Sequence, residues 1–70
     1  MTSTEYIKSA VSNMITDIEE VMAGTEIIEI EAAKIQALGI LTKVSSVKVE
    51  LKTVRNHIEN LKQYIELEIR

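Results

Sequence analysis

The stretch IEAAKIQALGILTKVSSVKVELKTVRNHIENLKQYI, residues 30–65, decides how this chain is read. Taken as heptads, it places Ile30, Ala37, Val44, Leu51, Ile58 and Ile65 at a, and Ala33, Ile40, Val47, Val54 and Leu61 at d. All eleven positions are apolar, and the alternating steps of three and four never slip. A sustained a/d repeat without proline marks helices that pack along their length.

Composition agrees. The chain has 70 residues, no proline, no cysteine, two glycines and no tryptophan or phenylalanine. That is the profile of a long helix or coiled coil, too apolar for a disordered tail. So short a chain makes one domain, read here as residues 1–70, and small domains need a staple. Without cysteine there is no disulfide or thiolate metal site, and one histidine, His57, does not make a metal site alone. Self-association is the staple left.

Upstream of residue 30, the apolar positions Ile7, Val11, Met14, Ile18 and Val21 also step by three and four. They predict helix 1 over about residues 4–23, with Thr2 and Glu5 at capping-box spacing. Gly24-Thr25 is the best-marked boundary, a glycine stop followed by a threonine N-cap. Helix 2 is then expected from about 26 to 69. The expected fold is all-α: an antiparallel helical hairpin with a long second helix, self-associating into a bundle or coiled coil. Ser45-Ser46 leaves an alternative, a break there that folds the chain into a three-helix bundle.

Unequal helices carry the expectation of an oligomer. Helix 1 would span ~30 Å and helix 2 ~67 Å, so the seam beyond Ser45 would face water. Val47, Leu51, Val54, Ile58, Leu61 and Ile65 are therefore the expected oligomer interface. Leaving such side chains in water forfeits about 1.5–3 kcal/mol each. A homo-dimer or tetramer is expected from symmetry.

Charge is uneven. Residues 1–35 sum to −5 and residues 36–70 to +2, so the halves attract. Lys48, Arg55 and Lys62 recur at e, with Lys52 on an adjacent face. Cations at e ordinarily pair with carboxylates of a neighbouring helix. The other reading is that these four residues bind a small anion, such as a nucleotide, at a subunit interface. Nucleic acid is disfavoured by the acidic total and the lack of stacking aromatics.

No nucleophile elbow, glycine-rich phosphate loop or metal cluster is present in the sequence, so an enzyme is not expected, and no cofactor is. His57 falls at g, beside the seam, and reads as an interface-flanking side chain. No signal peptide or membrane-length apolar run is seen, which leads to the expectation of a cytoplasmic protein with no membrane partner. The functional expectation is a small oligomeric binding protein, an adaptor, regulator or inhibitor that contacts another protein through helix faces. Chains of this type occur among phage and plasmid proteins, an association by type alone.

Overall fold

A computed structural model describes residues 2–69. Two helices, α1 (Ser3–Lys34) and α2 (Leu38–Glu68), fold back on each other through a three-residue connection. The all-helical hairpin is as expected. The position of its turn is not.

α1 starts where the capping-box spacing places it. Thr2 is the N-cap, its Oγ1 accepting from the Glu5 N–H at 3.2 Å and donating to Glu5 Oε1 at 3.1 Å. The helix then runs straight through Gly24-Thr25. Gly24 has no positive φ, and a Cβ built there meets nothing within 4 Å. Thr25 caps nothing. It is 4% exposed, and its hydroxyl donates to the Met22 carbonyl at 2.6 Å, which satisfies it inside the interface.

The real stop is Ile35-Gln36-Ala37. The Ala37 N–H donates to the Ala32 carbonyl at 2.9 Å and the Gln36 N–H to the Ala33 carbonyl at 3.2 Å. This paired bonding closes a helix over a left-handed residue, usually glycine. Here the residue is Gln36, at φ 56°. α2 begins at once, with Ala37 as an N-cap that offers no side-chain hydrogen bond. It continues without interruption through Ser45-Ser46, where the Ser46 hydroxyl donates to the Thr42 carbonyl at 3.4 Å. The three-helix alternative is therefore not adopted.

The helices are nearly equal, 32 and 31 residues, so the length-mismatch argument falls. α1 covers the whole of α2. The heptad read from Ile30 also crosses the turn, and its first members do not belong to one seam. Ile30 is 58% exposed on the outer side of α1, and Ala33 is exposed too. The buried α1 seam instead keeps its own phase past Gly24, through Thr25 and Ala32, with Ile28 on the half-exposed line beside it.

The hairpin is a slab, 50 × 19 × 11 Å, with a radius of gyration of 16.1 Å against about 11 Å for a compact chain of this length. A layer one helix thick cannot enclose a side chain from all sides, and among the described residues none is fully buried. The core is a single line where the helices meet: Val11, Ile18 and Ile58, joined by Ile15, Met22, Leu51 and Ile65.

Candidate interaction surface

Each helix carries two apolar lines, and the hairpin uses one of them. On α1 the buried residues are Val11, Ile18, Thr25 and Ala32, spaced by seven. On α2, Val44 and Ile58 are buried and Leu51 and Ile65 partly so, with the same spacing. These are the a positions. The d positions are Ile7, Met14, Val21 and Ile28 on α1, and Ile40, Val47, Val54 and Leu61 on α2. All eight are exposed by 42–52%. A period of seven drifts only ~20° per heptad around a helix, so the d lines run side by side as one apolar face.

That face splits the expected interface. Leu51, Ile58 and Ile65 pack inside the hairpin against α1. Val47, Val54 and Leu61 remain half in water. Two grooves lie on the face. One, near the turn, is about 640 Å³ and lined by Thr25, Ile28, Ile40, Val44 and Val47, with Gly39 and Lys43 at its edge. The other, at the open end, is about 230 Å³ and includes Ile7, Leu61, Tyr64 and Ile65.

On the other flank of the buried line lie the e positions, and here the cations are paired. Lys48 Nζ donates to Glu29 Oε1 at 3.1 Å, and an Arg55 guanidinium NH2 group donates to Glu19 Oε1 at 3.1 Å. Exposed or half-exposed pairs contribute about 0–1 kcal/mol each, so they set register more than stability. Lys62 meets no acid on α1. It lines a cleft of about 220 Å³ with Lys8, Val11, Ser12, Ile65 and Glu66. Lys52 is exposed and forms no ion pair among the described residues. The four cations thus form no common pocket within one hairpin. His57 is exposed at its g position.

The d line of α1 was visible as a stripe but not as an interface. Admitting Thr25 as a seam residue would have extended the stripe to Ile35 and moved the turn. Among the described residues no group of three or more His, Asp or Glu is placed to hold a metal ion, and no helix is long and apolar enough to cross a membrane. Comparison with protein-family models, curated proteins and solved structures finds no match.

Proposed function

We propose that this chain is a small helical binding protein that self-associates and acts on another protein, as an adaptor, regulator or inhibitor, through its helix faces. The observation that carries this reading is the amount of aliphatic surface left in water. The total exposed surface is 5389 Å², against about 4,400 Å² for a folded monomer of its mass, and it includes the eight half-exposed d side chains together with Ile27, Ile30, Val49 and Leu67 at 58–64%. Large exposed apolar patches mark interaction sites.

The surplus is not confined to the d lines. Ile27 and Ile30, 62% and 58% exposed, lie on the outer side of α1 near the turn, away from both lines. A protein partner fits there without competing for the d face. The rival reading, sequestration of a small anion, loses support from the pairing of Lys48 and Arg55 with Glu29 and Glu19.

A photo-crosslinking residue at Ile27 or Ile30, in the cell that makes the protein, tests the proposal. The expected product is one identified protein other than this chain, lost on Ile27→Glu or Ile30→Glu. No product with another protein from either position overturns it. Calorimetric titration with mono-, di- and cyclic nucleotides tests the rival, which needs saturable binding that Arg55→Ala removes.

A further inference from the structure

The d face is a surface of stated size, shape and charge, and those three properties select its occupant. We propose that the occupant is a second copy of this chain, docked face to face so that α1 of each hairpin lies along α2 of the other, with both turns at the same end. The product is a four-helix bundle around a two-fold axis parallel to the helices. The inference rests on the reading of this chain as a self-associating protein-contact module, and it names the partner and geometry of the d face.

Size comes first. The exposed parts of the eight d side chains amount to roughly 700 Å² per chain, or roughly 1,400 Å² for a pair, inside the range of stable specific interfaces. The shape is self-complementary. Four-helix bundles bury both the a and d lines of every helix. A second hairpin brings two lines of the same period and length, as a two-fold interface requires.

Charge chooses the orientation. α1 carries seven acids and two lysines, net −5, whereas α2 carries five cations and four acids, net +1. Placing α1 along its own copy sets −5 against −5. Placing it along the partner's α2 sets −5 against +1. The g positions border the d face. On α1 they include Asp17 and Glu31, and on α2 Lys43, Glu50 and His57, so one g cation, Lys43, is available to an α1 acid.

Register follows from the ion pairs within the hairpin. Glu19 faces Arg55 and Glu29 faces Lys48, so facing positions have numbers summing to 74–77. With the same levels kept across the interface, Val21 lies level with Val54, Met14 with Leu61 and Ile28 with Val47. Glu31 comes level with Lys43, and Asp17 with His57. The exposed Ile35 and Leu38 of both turns gather at one end. In the opposite orientation, with α1 antiparallel along α1 and the d residues kept level, Met14 would come level with Val21 and Asp17 would lie beside Asp17 of the other copy.

Light scattering coupled to size exclusion reads the mass, and disulfide trapping reads the orientation. The chain has no cysteine of its own, so introduced thiols report cleanly. The expected mass is twice the 7.9 kDa of one chain. Glu31→Cys chains mixed with Lys43→Cys chains should give a mixed disulfide dimer, and neither variant alone should. Monomeric mass at micromolar concentration overturns the proposal. So does efficient disulfide trapping of Asp17→Cys chains with one another, which places α1 along α1. Val54→Glu should halve the mass; because the hairpin core is thin this variant can also unfold, and the cysteine variants, which leave both lines intact, then decide. A monomer that still crosslinks another protein through Ile27 overturns the dimer and leaves the protein-binding role. A dimer with the expected disulfide and no such crosslink upholds the dimer and removes that role.

Discussion

Lys48 reaches across the hairpin to Glu29, Nζ to Oε1 3.1 Å, with both side chains about 30% exposed. The pair is partly screened, so its strength is modest and its direction is what counts. Lys48→Glu alone should lower stability by up to about 1 kcal/mol, because it faces two acids toward each other. Exchanging the two residues, Lys48→Glu with Glu29→Lys, should restore most of that loss. Urea melts of the four chains form the cycle, and the difference should shrink in high salt.

Gln36→Gly should raise the melting temperature. Gln36 holds φ 56° at the residue that ends α1, a conformation that costs a side chain about 1–2 kcal/mol and glycine almost nothing. Glycine's greater freedom in the unfolded chain offsets part of the gain. Gln36→Val should move the other way, since a branched Cβ fits that region poorly. Circular dichroism melts of the two variants at equal concentration decide it.

Gly24→Ala should also stabilise, by about 0.5–1 kcal/mol. Gly24 lies in the interior of α1, and a Cβ there meets nothing within 4 Å. A turn glycine would give the opposite result. The measurement therefore separates a helix that stops at residue 24 from one that passes through it.

Ile58→Ala should cost about 2–3 kcal/mol, and Val49→Ala no more than about 0.5 kcal/mol in either direction. Ile58 packs with Val11 and Ile18 on the buried line, whereas Val49 is 64% exposed on the outer side of α2. Urea denaturation of both variants gives the contrast.

Helical class and hairpin topology were legible because heptad spacing is set by local geometry, and Val11, Ile18, Val44 and Ile58 kept their places as seam residues. The turn was not legible. Gly24-Thr25 has the chemistry of a helix stop, and nothing in Ile35-Gln36-Ala37 competes with it on propensity. Tertiary packing won: Thr25 is worth more as a seam residue level with α2 than as a cap, and Gln36 takes the left-handed position because the two apolar seams meet on either side of it. The phase that runs from Ile30 into α2 is a coincidence of spacing across a turn. For the interaction surface, the e-position cations were found in order, and pairing with a neighbouring helix was the ordinary expectation for them. Sequence spacing could not say which neighbour, because an ion pair within a chain and one between chains have the same pattern.

The brevity of the connection at Ile35-Gln36-Ala37 governs the order in which the chain assembles. Ala32 and Ile40 line one cleft and are only eight positions apart, while Val11 and Ile65 line another and are 54 apart. Closing a short loop first makes every later layer a small extension of a loop already closed, so the entropy cost is met in small steps. The chain should zip from its middle toward its two ends, and open in the reverse order. Amide exchange should then rise in a gradient from Ala32 and Val44 outward, with the two termini separating while the turn still holds.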